Sequence, residues 1–148
     1  MTLEENIVQM LEEKGMLYER IAHGPVYTNP AMAEALGVEE GETVKSLVLA
    51  TKEGGMIVMV LPGDRKVDWK RVAAAAGTKK VSFAKPEAVL EAVGCEVGCV
   101  PPFGHGLAVY MENELADKAQ VYFNPGVHHK SLKISGSDLE TICHPTFV

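Results

Sequence analysis

Residues 43–51 run Thr43-Val44-Lys45-Ser46-Leu47-Val48-Leu49-Ala50-Thr51, and residues 56–61 run Met56-Ile57-Val58-Met59-Val60-Leu61, with Glu53-Gly54-Gly55 between them. Each segment is rich in β-branched and large apolar residues and is bounded by turn residues, so the pair reads as two strands joined by a tight turn. Alternate residues of a strand share a face. Lys45 therefore projects with Leu47 and Leu49, and Val44, Val48 and Ala50 occupy the other side. Apolar residues on both faces imply a strand covered on both sides. A lysine in that setting is costly unless its ammonium reaches water, a partner or a ligand. The plain alternative is that Lys45 sits near the strand end and extends its head to solvent.

Working outward from these strands, Pro62-Gly63-Asp64 closes the second one, and Asp68 caps a helix Trp69–Ala76 that Gly77 ends. The alanine run of that helix permits close packing against a sheet. Further strands are expected at 16–21, 80–84, 107–111, 120–123 and 131–134. Thr2 and Glu5 form a capping box for an N-terminal helix that Gly15 can stop. Asn29 followed by Pro30 opens a short helix to Leu36, stopped at Gly37. Pro86–Val93 reads as a helix, and Ser137 with Glu140 as the capping box of a last one. The elements interleave without a regular βαβ period, which predicts an α+β domain with a mixed sheet.

Composition sets bounds on function. The chain has 148 residues, 47% hydrophobic and 23% charged, an ordinary balance for one globular domain. Its longest apolar run, Met56–Leu61, is too short to span a bilayer, and Glu4 and Glu5 stand where a secretory signal would be basic. A cytoplasmic address with no membrane partner is expected. The net charge of −6 argues against a general nucleic-acid coat. The charge is uneven, however: Lys45, Lys52, Arg65, Lys66, Lys70, Arg71, Lys79, Lys80 and Lys85 cluster in residues 45–85 against only Glu53, Asp64 and Asp68. Such a zone can meet one end of a nucleic acid, or simply be a solvated face.

Cys95, Cys99 and Cys143 are an odd number and too sparse for a disulfide framework, and Cys-x-x-x-Cys without a second pair is a weak zinc signal. The loop Gly98-Cys99-Val100-Pro101-Pro102-Phe103-Gly104 combines glycines, which let main-chain donors approach a ligand, with stiffening prolines. It could present amides to a carbonyl or oxyanion, or serve only as a connection. It matches no phosphate-binding fingerprint. The segment Asn124-Pro125-Gly126-Val127-His128-His129 offers an imidazole that could bond substrate or water. Adjacent histidines on extended chain diverge, so a metal at His128 and His129 is not expected, and no cofactor is implied. His23, His105 and His144 carry no distinct signal. No nucleophile elbow is present.

Taken together, Val44-Lys45-Ser46-Leu47, Leu61-Pro62-Gly63-Asp64 with Val67-Asp68, Gly98 to Gly104, and Asn124-Pro125-Gly126 resemble, in order, the YbaK-type, prolyl-tRNA-synthetase-associated editing domains. The resemblance covers nearly the whole chain. It implies a strongly curved mixed sheet wrapped around a central helix, with short helices outside. It also implies hydrolysis of misacylated tRNA, acting in trans on the acceptor end, with prolyl-tRNA synthetase as a candidate partner. On this resemblance Lys45 matches the family's essential lysine, and Gly98 and Pro102 match a Gly-x-x-x-Pro loop that positions the aminoacyl carbonyl. Cys99, Val100, Pro101 and Gly104 belong to that loop. Asn124, Gly126 and His128 fall in a pocket-lining segment, and Asp138 matches a late acidic position. Pro101 stands where many members have a hydroxyl residue, and Tyr18 is only a loose match to a tyrosine of cysteine-directed members. The expected substrate is tRNA(Pro) carrying a small wrong amino acid such as Ala or Cys. A non-catalytic module that binds a nucleotide or an aminoacyl-tRNA end is the alternative from another class, because no general base is evident.

Overall fold

A computed structural model describes residues Met1–Val148. Thr2 and Glu5 exchange the two hydrogen bonds of a capping box and start α1 (Leu3–Glu13), whose Ile7, Val8 and Leu11 are buried. After β1 (Glu19–Ala22) comes α2 (Asn29–Leu36). The central pair is β2 (Val44–Thr51) and β3 (Met56–Pro62), antiparallel in full register from Val44 opposite Pro62 to Ala50 opposite Met56. Then follow α3 (Trp69–Ala76), β4 (Val81–Phe83), α4 (Pro86–Val93), β5 (Ala108–Met111), β6 (Val121–Phe123), β7 (Lys130–Ile134), α5 (Gly136–Cys143) and β8 (Thr146–Phe147). Short 3-10 turns stand at Glu40–Glu42, Val97–Cys99 and Asn113–Asp117.

The mixed sheet is observed, divided in two. One sheet has the order β4-β2-β3-β5-β8, antiparallel from β4 to β3 and parallel from β3 to β8. The other, β1-β7-β6, is antiparallel throughout. A single bridge between Thr43 and Tyr122 joins them.

The two-sided burial of β2 is also observed. Val44 and Val48 join Val58 and Val60 in the larger core with α1, α4, α5 and the inner side of the second sheet. Leu49 packs on the opposite face with Ile57, Met59, Leu61, Val72, Ala73 and Val81, and Leu47 lies against that group. Full burial of a leucine such as Leu49 contributes about 1.5–3 kcal/mol. The alanine-rich α3 thus covers the outer face of the sheet. Helices α1 and α5 contribute to the larger core, where their Leu11 and Leu139 are completely buried. No helix is long and apolar enough to cross a membrane.

Three local expectations need correction. The first strand begins at Glu19, because α1 is followed by a turn at Lys14-Gly15 and an extended link through Tyr18. The cap of α2 is Thr28, whose hydroxyl accepts from the Ala31 N–H; Asn29 is already helical and its amide is used elsewhere. The cap of α5 is Ser135, which accepts from the Asp138 N–H, so Ser137 lies inside the helix. Strand β8 was not anticipated, being only two residues long.

Candidate functional site

The site forms where β2 loses its second neighbour. On the β4 side, pairing extends only over Leu49–Thr51, with one further bond from the Ala84 N–H to the Val48 carbonyl. Toward its beginning that edge of β2 is open. Main-chain groups two residues apart on a strand point to the same edge, so Ser46 faces this gap, and two residues before it the Val44 carbonyl accepts from Asn29 Nδ2 at 3.2 Å. The gap is a cleft of about 420 Å³ between the start of β2, the N-terminal turn of α2, the Gly63 turn and the Val97–Val100 loop.

Asn29 ties these walls together. Its Nδ2 also donates to Thr43 Oγ1 at 3.0 Å, and that hydroxyl in turn donates to the Glu40 carbonyl at 2.7 Å. Gly63 closes the knot: its N–H donates to the Thr43 carbonyl at 2.8 Å. A Cβ at Gly63 would overlap Thr43 Oγ1 and come within 2.8 Å of the Glu40 carbonyl. No other residue type fits without displacing main chain.

Lys45 lines the cleft, and its ammonium donates to the Arg65 carbonyl at 2.7 Å, just past the Gly63 turn. The cation is thus tied to main chain and does not hang free. Gly98 and Val100 form the facing wall. Gly98 sits close against its neighbours, since a Cβ there would lie 3.2 Å from the Tyr27 carbonyl and 3.4 Å from the His128 ring. Asn124 Nδ2 donates to the Gly98 carbonyl at 3.3 Å, fixing the loop, while its Oδ1 is buried with no partner. Ser46 Oγ is likewise buried without a partner, and both residues line the cleft. Buried polar atoms are nearly always bonded in folded proteins. Two such unpartnered atoms belong to residues of this one cleft. Glu40 supplies its one acid.

Other residues singled out from the sequence lie elsewhere. His128 stands behind Gly98: its ring packs on Tyr27 at 4.5 Å, Nδ1 meets the Val26 carbonyl at 3.1 Å and Nε2 meets Glu96 at 3.2 Å. Both nitrogens are occupied, so it buttresses the wall and does not line the cleft. Cys99 and Gly126 share the recess on that rear side with His128. Cys95 and Cys99 are buried neighbours there. Cys99 Sγ donates to the Glu96 carbonyl at 3.5 Å; the Cys95 thiol beside it holds the Cys99 ionisation below its ordinary value, with help from His128, while that of Cys95 is pushed up. All three cysteines are free. Pro101 and Pro102 are buried, and the Pro102 carbonyl faces the Cys143 thiol at 3.5 Å. Gly104 packs on α1, its carbonyl accepting from Asn6 Nδ2 at 3.2 Å. Asp138 lies in the first turn of α5, beside Lys133 and Ser135 in a separate depression. Of the expected residues, Lys45, Gly98, Val100 and Asn124 meet in the cleft. Ser46 was missed, because a serine in an apolar strand gives no signal of its own.

On this α+β scaffold the cleft brings together one cation, two buried oxygens without partners and a glycine-walled loop. The family model for the aminoacyl-tRNA editing domain matches residues 23–142, and the chain belongs to that family. Its class of activity is trans-editing deacylation, the hydrolysis of an aminoacyl-tRNA ester. The chain is 27% identical over 150 residues to the multifunctional Ser/Thr-tRNA deacylase ProXp-y of Escherichia coli (strain K12), covering 97% of this chain and 90% of that protein. It is 28% identical over 150 residues to the prolyl-tRNA editing protein ProX of Acetoanaerobium sticklandii, covering 96% and 91%. The crystal structure of the hypothetical protein APE2540 superposes with a TM-score of 0.88 at 26% identity, covering 96% of both chains.

Proposed function

We propose that this protein removes a small, wrongly attached amino acid from the acceptor end of tRNA(Pro), working in the cytoplasm on tRNA released by or handed over from prolyl-tRNA synthetase. The observation that carries the proposal is the convergence of Lys45, Gly98 and Asn124 on one cleft that also holds two unpartnered buried oxygens. An aminoacyl-adenosine end brings matching groups: an ammonium and ribose hydroxyls to donate, an ester carbonyl to accept and phosphates to pair with a cation.

In the proposed reaction Lys45 holds the terminal phosphate or the ester region by charge. Main-chain amides of the Val97–Val100 turn fix the carbonyl and stabilise the oxyanion that forms when water attacks it. The ribose oxygen then leaves with a proton, giving free amino acid and free tRNA. No imidazole or thiol lines the cleft, which suits activation of the water by the substrate's own vicinal hydroxyl. A synthetase pocket separates substrates differing by one methylene by only about 1–3 kcal/mol. A second site that admits small side chains and excludes the correct one supplies the remaining discrimination. The apolar Met32, Leu47 and Val100 limit the room for a side chain here.

The test is a panel of tRNA(Pro) charged with Ala, Cys, Ser or Pro, followed for ester loss. Loss from at least one small amino acid with Pro-tRNA(Pro) spared is the expected result. Binding of charged tRNA with no loss from any of them would overturn hydrolysis and leave a binding module.

A further inference from the structure

Lys45 shares its face of β2 with Leu47 and Leu49. Phe83 lies directly opposite Leu49 in the register of β2 and β4, and directly opposed residues of an antiparallel pair project from the same face. Lys45 and Phe83 therefore stand on one side of the sheet, four residues apart along it, about 13 Å at strand spacing. Phe83 is 62% exposed, and Trp69, which meets it edge-to-face at 5.0 Å between ring centroids, is 38% exposed. Lys70, Lys79 and Lys80 line the same shallow depression of about 410 Å³. None of these lysines is in an ion pair. The acid nearest in sequence, Asp68, accepts from the Arg71 N–H at the start of α3. The carbonyl that anchors the Lys45 ammonium belongs to Arg65, four residues before Trp69, so the cleft and the aromatic pair lie along one short segment of chain.

We propose that Trp69 and Phe83, with Lys70, Lys79 and Lys80, form a stacking platform for the unpaired nucleotides just inside the 3′ terminus of the tRNA. This rests on the proposed deacylase role of the cleft. Single-stranded nucleic acid offers flat base faces for exposed aromatics and phosphates for lysines, and sites of this kind pair the two. The body of the chain is acidic, at −6 overall, so the unpaired lysines single out this surface for an anionic strand. With the terminal adenosine in the cleft, the preceding nucleotides pass over the exposed Arg65–Trp69 segment toward Phe83. The platform reads base faces and not base edges, so it grips the acceptor end of any tRNA alike and leaves identity to be read elsewhere.

Trp69 is the only tryptophan in the chain, and its fluorescence reports on the platform without any chemistry. Titrating the protein with a short RNA ending in cytidine-cytidine-adenosine should quench that fluorescence saturably, more weakly as salt rises, and a blunt RNA hairpin should not. Phe83→Ala should raise the dissociation constant about 5- to 150-fold, the range expected for one stacked base. The same variant should raise KM for charged tRNA while hydrolysing aminoacyl-adenosine, too short to reach the platform, at the wild-type rate. Unchanged fluorescence at RNA concentrations that saturate deacylation would overturn the platform and leave a protein partner as the occupant of the patch. Equal losses by Phe83→Ala on both substrates would overturn it as well. Quenching by RNA with no ester loss from any charged tRNA would sustain the platform and remove the deacylase role.

Discussion

Two halves of the same strand are built to opposite ends. Residues 49–51 of β2 lie between β3 and β4 with their edges bonded on both sides. Residues 44–47 keep β3 but have no strand on the other edge, and there the chain leaves Ser46 Oγ without a partner and brings Lys45 to the cleft. The first arrangement yields stability and nothing for a ligand to hold. The second gives up satisfied polar groups and gains a binding surface. Strand pairing, more than side-chain type, decides which half does which.

The comparison is sharpest at Leu49 against Lys45, which project from the same face. Leu49 is fully buried, so Leu49→Ala should cost about 2–5 kcal/mol of stability, read as a fall in the denaturant midpoint. Lys45→Ala should instead leave the midpoint unchanged within about 0.5 kcal/mol, as expected for a half-buried side chain with one hydrogen bond. It should lower kcat/KM on the best charged tRNA by about 10²–10³, the usual loss for one electrostatic stabiliser. A Lys45→Ala enzyme with full activity would erase the distinction between the halves. Gly63→Ala, at the closed end of the cleft, should cost about 1–3 kcal/mol through overpacking and reduce activity in parallel; calorimetry and kinetics on one preparation would show both.

Ser46→Ala tests the other side of the contrast. Removing a buried hydroxyl that has no partner relieves a penalty of about 1–3 kcal/mol for an unsatisfied group. The variant should melt no lower than wild type while losing substrate affinity. A clear drop in melting temperature would mean the hydroxyl is bonded after all. The smallest effect lies outside β2. Burial holds the His105 imidazole below its ordinary 6.5, and its Nε2 is buried without a partner. The unfolded chain therefore binds this proton more readily than the folded one. The contribution of neutral His105 is complete above about 6.5 and is lost as pH falls toward its depressed folded value. Denaturation midpoints measured across that window should show the slope in wild type and lose it in His105→Asn.

Much of the fold could be read from the chain because most of its determinants are local. Capping boxes, terminal glycines and the alternation of β2 and β3 are written within a few residues of where they act. What could not be read is non-local. Nothing near Thr43 announces that it bridges to Tyr122, nor that the sheet divides there. Asn29 has the look of a helix cap, but its amide belongs to a knot with Thr43 and Val44 from a different part of the chain. Lys45 was legible because a cation in an apolar strand violates a pattern. Ser46 violates none, and Asn124 stood in a segment that drew notice for its histidines, its place in a pocket being implied only by the family resemblance. Asp138 carried the resemblance too, yet the first turn of α5 places it in a separate depression.

The knot of Asn29, Thr43 and Gly63 sorts the lining of the cleft into fixed and free positions. Any change within it must be met by changes in three separate segments at once, because each member occupies the space or the hydrogen bond of another. Half-buried Leu47 carries no such obligation and can swap size on its own. A designer wishing to retune which molecules enter would therefore begin at that residue, with the frame that holds the entrance open carried along untouched.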